Sequence, residues 1–274
     1  MKATLSLAVA LSASLFATTV HAEEETLYLG QKNHFRVDLG SSIFMESGSD
    51  AFGLSPILSG RYAISDAYGL TLQLPLSWLS VSDESHFKLA NPTIAFELVD
   101  DAREAKRAVI RAGVALPVAS VSDDDFSDAL LDALTLITAA SGRGMIDLWL
   151  WWPESLGIFA EFHTTAFLVD MYADLRFSIA GLIPTGEGDF ELVIQSVMRF
   201  GFDGGVVIPF AGLSIWWMPT TDDDAFQSGL QLGAIFNLGG PSIDLALQVN
   251  LDDPAGFSFD DGILGVHLGA TVPF

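Results

Sequence analysis

Arginine and carboxylate residues recur at alternate positions in segments that are otherwise apolar. Arg36-Val37-Asp38 and Asp174-Leu175-Arg176 show the spacing, which places both charges on one face of an extended chain. Such a set can select ions and polar solutes, or it can neutralise itself through ion pairs. The candidate residues are Arg36, Arg61, Arg111, Arg176, Arg199, Asp38, Glu161, His163, Asp174, Glu191 and Asp244.

The sequence carries no motif for covalent or metal-assisted catalysis. His163 is predicted beside Glu161, but no G-x-S-x-G or other nucleophile motif accompanies this pair. No glycine-rich phosphate loop is present, and Asp222-Asp223-Asp224 lacks the spacing of an EF-hand loop. We therefore expect no enzyme activity, no catalytic residues, no metal ligands and no cofactor.

A period-two alternation of apolar and polar residues positions the charged set. From Tyr68 to Trp78 nearly every second residue is aromatic or leucine, as on one face of a β-strand. Strands of about ten residues suit a tilted membrane barrel. The sequence thus predicts an all-β fold, a transmembrane antiparallel up-and-down β-barrel of about 12 strands. Its strands are 35–43, 54–64, 68–78, 94–98, 108–116, 156–168, 171–183, 190–202, 204–217, 226–238, 243–251 and 264–274.

One of these strands, 204–217, is apolar on both faces. A β-bulge near Gly212 or a packed lumen would explain that pattern.

The connections between the strands alternate in length. If Phe35 lies at the periplasmic end, the connections at that end are short, apart from 99–105. Those at the other end are longer: 46–53, 80–90, 119–155, 185–189, 219–225 and 252–261. Short periplasmic turns and long external loops are typical of outer-membrane barrels, and an even strand number returns both termini to the periplasm.

The charged set must face the lumen of such a barrel, because an arginine facing lipid at mid-membrane costs about 2–4 kcal/mol. A barrel of twelve strands lies between those filled by side chains and those with an aqueous channel. Two interpretations stay open. The lumen is a channel or transporter path for small polar solutes or ions, or it is filled by ion pairs in a non-conducting structural or surface-interaction protein.

Both ends of the chain indicate export. Lys2, the apolar stretch after it and Val20-His21-Ala22 are typical of a secretory signal peptide, residues 1–22, cleaved after Ala22. Residues 23–33 would form a short periplasmic tail and 34–274 the barrel. The last strand ends in Phe274, which resembles the assembly signal of bacterial outer-membrane β-barrel proteins. This resemblance implies recognition by the barrel-assembly machinery and contact with outer-membrane lipid and lipopolysaccharide.

The net charge of −23 argues against nucleic acid as a partner. Most acidic residues fall in the predicted external loops, where Lys88 and Arg143 are the only basic residues. Such loops either form a solvated surface or bind divalent cations between themselves and lipid phosphates. The chain has no cysteine and therefore no disulfide.

The long external loop 119–155 is the one segment with helical periodicity. A helix over 122–140 would start at Ser122, with Asp123, Asp124 and Asp125 in its first turn. Its apolar stripe would consist of Phe126, Leu130, Ala133, Leu134 and Ile137. This helix either folds into the barrel mouth and narrows it, or it covers the top of the barrel or lies against the membrane. The segment 148–153, rich in tryptophan, is expected to lie at the outer membrane interface.

Overall fold

The computed structural model describes residues 33–44, 51–82, 84–103, 106–122, 126–168, 170–221, 226–252 and 262–274. The predicted signal peptide and most of the tail lie outside these residues. So do Asp123, Asp124 and Asp125, as well as several of the acidic loop residues.

Thirteen strands, one α-helix, α1 (Phe126–Gly142), and a short 3-10 helix (Leu148–Leu150) make up the regular structure of the described residues. The strands are β1 (His34–Phe44), β2 (Phe52–Ala63), β3 (Tyr68–Val81), β4 (Glu84–Leu89), β5 (Thr93–Arg103), β6 (Lys106–Ala115), β7 (Ser155–Leu168), β8 (Met171–Pro184), β9 (Glu191–Phe202), β10 (Val207–Trp217), β11 (Phe226–Asn237), β12 (Ser242–Asn250) and β13 (Ile263–Pro273).

The strands form one closed antiparallel barrel. Each pairs with its neighbours in sequence, except that β4 and β5 both pair with β3, and β1 pairs with β13, so that Leu39 lies opposite Leu268. The start of β1 lies beside the end of β13, where the Phe274 N–H donates to the Asn33 carbonyl at 2.9 Å. We call this the turn end of the barrel and the opposite end the loop end. The predicted up-and-down barrel is confirmed.

The predicted external loop 80–90 is wrong in part, because it contains β4. β4 pairs with the upper part of β3, from Leu76 to Val81, and β5 pairs with its lower part, from Tyr68 to Gln73. β4 and β5 are therefore one barrel strand interrupted at residues 90–92, which leaves twelve strand positions in the wall. The interruption coincides with Asn91-Pro92, where proline supplies no N–H for a ladder bond.

The alternation sorts side chains between the two faces of the wall. Apolar side chains on the outer face are exposed, for example Leu72, Ile110 and Leu232. Of the two explanations for the apolar pattern of 204–217, the bulge near Gly212 is wrong, since β10 keeps an unbroken register with both neighbours. β10 is apolar on both faces because Ile208 and Trp216 are buried inside the barrel.

The loop between β6 and β7, residues 116–154, enters the barrel at the loop end, and we call it the inserted loop. Its helix α1 contacts β1, β2, β3, β4, β12 and β13. At Gly265 of β13 a side chain would collide with the Gly142 carbonyl oxygen, so the helix end lies directly against the wall. Within the described residues, no helix is long and apolar enough to cross a membrane.

α1 turns its predicted apolar stripe away from the barrel wall. Its buried side combines the polar residues Asp132, Thr135, Thr138 and Ser141 with Leu136, Ala139 and Ala140, whereas the predicted stripe is largely exposed, with Phe126 at 81%. The wall that α1 meets is the polar inner face of the barrel. The polar side of the helix therefore turns inward.

The tryptophan-rich segment is buried rather than placed at the membrane interface, so that prediction is wrong. Trp149 and Trp151 are each 2% exposed, and the Trp149 ring stacks on Phe159 of the inner wall with centroids 4.8 Å apart. Leu148 and Leu150 belong to the same buried cluster. Apolar packing therefore fixes this part of the inserted loop inside the barrel.

Asn91 fastens the inserted loop at both of its ends. Its side-chain NH₂ donates to the carbonyls of Trp149 (3.1 Å) and Trp152 (2.6 Å). Its side-chain oxygen accepts from the N–H groups of Val118 (3.0 Å) and Ala119 (2.8 Å). This fully buried amide explains why the wall strand is interrupted at residues 90–92.

Candidate functional site

A cavity of about 440 Å³ occupies the barrel between the turn end and the underside of the inserted loop. Its wall includes His34 and Ser242 near the turn end, and Arg143, Ile146 and Asp147 from the loop above. Six arginines and six carboxylates line it, so their formal charges balance: Arg36, Arg61, Arg111, Arg143, Arg176 and Arg199 with Asp38, Glu97, Asp147, Glu161, Asp174 and Asp244.

The structure places ten of the eleven candidate residues on this wall. The exception is Glu191, which lies at the loop end and accepts hydrogen bonds from the hydroxyls of Thr220 and Thr221. Glu191 has the strand parity of an inward residue. Glu191 is the first residue of β9 and lies at the loop end, outside the cavity. Strand parity predicts which face a residue is on, but not its position along the barrel axis.

Two buried glutamates are shared among three arginines at mid-height. Glu97 accepts from Arg61 at 2.5 Å and from Arg111 at 2.6 Å. Glu161 accepts from Arg111 at 3.2 Å and from Arg176 at a shorter distance. Arg176 also pairs with Asp147 of the inserted loop. Glu97 and Glu161 thus each keep an arginine if one is removed, whereas Asp147 depends on Arg176.

A second ion-pair cluster joins β1, β12 and the inserted loop. Arg36 donates to Asp38 and to Asp244, both at 2.7 Å. Arg143, directly after α1, donates to the other oxygen of Asp38 at 2.7 Å and to the Ser55 hydroxyl at 3.1 Å. Asp38 therefore links the wall to the end of the helix.

The remaining wall charges have different partners. His163 lies 2.5 Å from Asp174, and Thr165 also donates to that carboxylate. The Nε of Arg199 donates to the Gln231 side chain at 3.0 Å, and its guanidinium lies 5.2 Å from the Phe210 ring centroid. Among the described residues, Arg199 is the cavity arginine that forms no ion pair with a carboxylate.

The other end of α1 is held by Asp132, whose side chain is 2% exposed. Asp132 pairs with Lys88 and contacts His86, each at 2.5 Å, and accepts from the Ser122 N–H at 2.8 Å. Burial alone would raise the pKa of Asp132, but the bonds from Lys88, His86 and the Ser122 N–H outweigh it and lower that pKa.

We expect the stabilisation that Asp132 provides through Lys88, His86 and the Ser122 N–H to weaken in acid. The pKa of Asp132 is lower in the folded protein than in the unfolded chain, so its stabilisation is complete above the unfolded value of about 3.9. It is lost as the pH falls through the lower folded value. The urea unfolding midpoint of the wild type, minus that of Asp132→Asn, should decrease over this range. An unchanged difference between the two proteins would contradict the role of Asp132.

Three charged residues of the site were not among the sequence candidates. For Glu97 the alternation does predict the lumen face, since it lies on the polar side of a predicted strand. Arg143 and Asp147 belong to a segment assigned to the external surface, and no pattern showed that it folds inward. Among the described residues, no group of three or more histidine and carboxylate side chains is arranged to hold a metal ion.

Comparison with solved structures identifies the fold. An outer membrane channel from Pseudomonas putida F1 matches with a TM-score of 0.58 and 14% identity, over 89% of this chain and 96% of that protein. The NanC porin matches with a TM-score of 0.51 and 6% identity, over 87% and 100%. No protein-family model matches the sequence, and no curated protein matches it significantly. The fold is that of bacterial outer-membrane β-barrel proteins.

Proposed function

We propose that this protein is an outer-membrane channel for small polar solutes, and that α1 closes it at rest. The observation that carries the proposal is the charge-lined cavity of about 440 Å³ beneath the inserted loop. A barrel whose lumen served only as a packed core would be expected to fill this space, because protein interiors contain few voids larger than a water molecule.

The polar contacts of α1 with the wall are of a kind that water can replace, and the apolar side chains that the helix buries are one leucine and two alanines, Leu136, Ala139 and Ala140. The hydroxyls of Ser42 and Ser77 donate to the helix carbonyls of Thr138 and Thr135, both at 2.8 Å. Hydrogen bonds of this type contribute about 0.5–1.5 kcal/mol each in net terms, because water offers equivalent partners. The helix can therefore leave the wall at a lower cost than an apolar segment.

The segment after the helix behaves differently. Trp149 and Leu150 are buried in the apolar cluster, and Asn91 holds the backbone around them. Moving these groups into water would expose large apolar side chains. We therefore assign the moving part of the loop to α1 and the fixed part to residues 148–152.

Replacing Lys88 and Arg143 by methionine should open the channel. Arg143→Met leaves Asp38 paired with Arg36, and Lys88→Met leaves Asp132 with His86 and the Ser122 N–H. Neither change leaves a buried carboxylate without a partner, so the barrel should still fold. α1 loses the ion pair of Asp132 with Lys88 and the contacts of Arg143 at its C-terminal end. In planar bilayers we expect the fraction of time in the open state to rise at least tenfold.

Ile137→Ala is the matched control, because Ile137 is on the same helix but is 55% exposed. It should leave the open fraction at the wild-type value. A folded double variant that conducts no better than wild type would contradict the proposed gate.

A second function is favoured by a specific observation. The loop end of the barrel is filled by the inserted loop, and five of the six cavity arginines are in ion pairs. These features also suit a non-conducting outer-membrane protein with a structural role or a role in surface interactions. Absence of discrete openings in both the wild type and the double variant, over a wide voltage range, would favour this alternative.

A further inference from the structure

Arg199 differs from the other cavity arginines in what its guanidinium can still bind. Only its Nε makes a hydrogen bond, to Gln231, and the two terminal nitrogens donate to none of the residues that the structure describes. The residue belongs to the cavity wall. Two parallel N–H groups of a guanidinium form the fork that matches a carboxylate.

The Arg199 side chain is also held in place. Gln231 fixes the Nε, and the Phe210 ring lies 5.2 Å from the guanidinium carbon. Gly212, opposite Arg199 on β10, leaves room for the side chain, since a Cβ there would lie 3.0 Å from the Arg199 Cγ. A fixed donor pair loses little conformational entropy when it binds a ligand.

The wall beside Arg199 includes apolar side chains. Tyr172, Phe210 and Ala246 form a buried cluster with Ile208, and Ile235 packs against it. Four of these side chains, Tyr172, Phe210, Ile235 and Ala246, line the cavity. Two carboxylates also line this side: Asp174, opposite Arg199 on β8, and Asp244 on β12. Both already have partners, since Asp174 contacts His163 and Thr165 and Asp244 pairs with Arg36. This side of the cavity therefore combines apolar side chains with one arginine, Arg199, that has no carboxylate partner among the described residues.

We propose that this side of the cavity binds a small organic monocarboxylate, with its carboxylate on the Arg199 fork and its apolar part against Phe210 and Ile235. The assignment rests on the proposed channel function and specifies the solute class for it. A cavity of about 440 Å³ is within the size range of small-molecule sites. A hydrophilic acid would gain the ion pair but not the apolar contact.

The test is calorimetric binding to the full chain, folded in detergent, with isovalerate, its neutral amide isovaleramide, and lactate as the hydrophilic acid. Wild type should bind isovalerate at least tenfold more tightly than isovaleramide or lactate. Arg199→Gln should lose this preference for the acid over the amide, and Arg199→Lys should retain part of it. The unfolding midpoint of each variant shows whether it folds, and the comparison of ligands needs only wild type.

Equal binding of isovalerate and isovaleramide by wild type would overturn the carboxylate assignment, as would an unchanged preference in folded Arg199→Gln. Equal binding of isovalerate and lactate would overturn the apolar subsite. Because binding is measured without a membrane, it can succeed in a protein that does not conduct. Failure of the channel function is therefore distinguishable from failure of this site.

Discussion

Replacing Arg111 and Arg176 together by glutamine is expected to destabilise the barrel by about 3–5 kcal/mol, the usual cost of leaving a buried carboxylate without its partners. The side chain of Glu161 is 4% exposed, and these two arginines are its ion-pair partners. Arg111→Gln leaves Glu97 and Glu161 one arginine each and should cost about 1 kcal/mol. Arg176→Gln leaves Glu161 with Arg111 but also removes the ion-pair partner of Asp147, so it should cost more. The double variant should therefore lose more than the sum of the singles, measured by urea unfolding in lipid vesicles.

Adding Glu161→Gln and Asp147→Asn to the double variant provides the control for this prediction, because Arg176 is also the ion-pair partner of Asp147. The two changes remove both unpaired carboxylates while Glu97 still pairs with Arg61. Most of the lost stability should return. Additive single and double variants, or a quadruple variant no more stable than the double, would show that Glu161 does not depend on this pair.

The barrel itself was predictable because its signal is local. In β3 and β13 one face must meet lipid and the other the lumen, so the alternation appears in every pair of residues. β4 was not predicted because it has only six residues and begins within a polar stretch around Ser82 and Glu84. A strand this short resembles a loop when it is read without its partner.

The position of the inserted loop was not predictable from periodicity. The stripe from Phe126 to Ile137 defines a helix, but a stripe alone does not specify what the helix packs against. Here the helix packs against a polar wall, so its polar side is buried. Trp149 and Trp151 suit a membrane interface and a buried cluster equally well in sequence terms, and only the tertiary structure distinguishes them.

The partners of the arginines follow from strand register and from the inserted loop together. Alternation placed Arg111 and Arg176 inside the barrel, and their sharing of Glu161 depends on the pairing of β6, β7 and β8. The loop supplies Arg143 to Asp38 and Asp147 to Arg176. These two contacts join residues that are distant in sequence, so spacing along the chain carries no signal for them.

A disulfide between α1 and β1 should hold the channel closed. An ideal Cβ at Gly142 lies 3.0 Å from the Cβ of Ser42, so a small shift brings the pair into the range that disulfides require, about 3.5–4.5 Å. The chain has no cysteine of its own. In Ser42→Cys/Gly142→Cys, the new bond is therefore the only disulfide that can form within the protein.

Single-channel conductance of this double variant, before and after reduction in the same bilayer, tests most directly whether α1 is the gate. The oxidised protein should remain closed, and reduction in the same bilayer should raise the open fraction at least tenfold. Equal open fractions in the oxidised and reduced states, with the disulfide verified by mass spectrometry, would contradict a gate formed by α1.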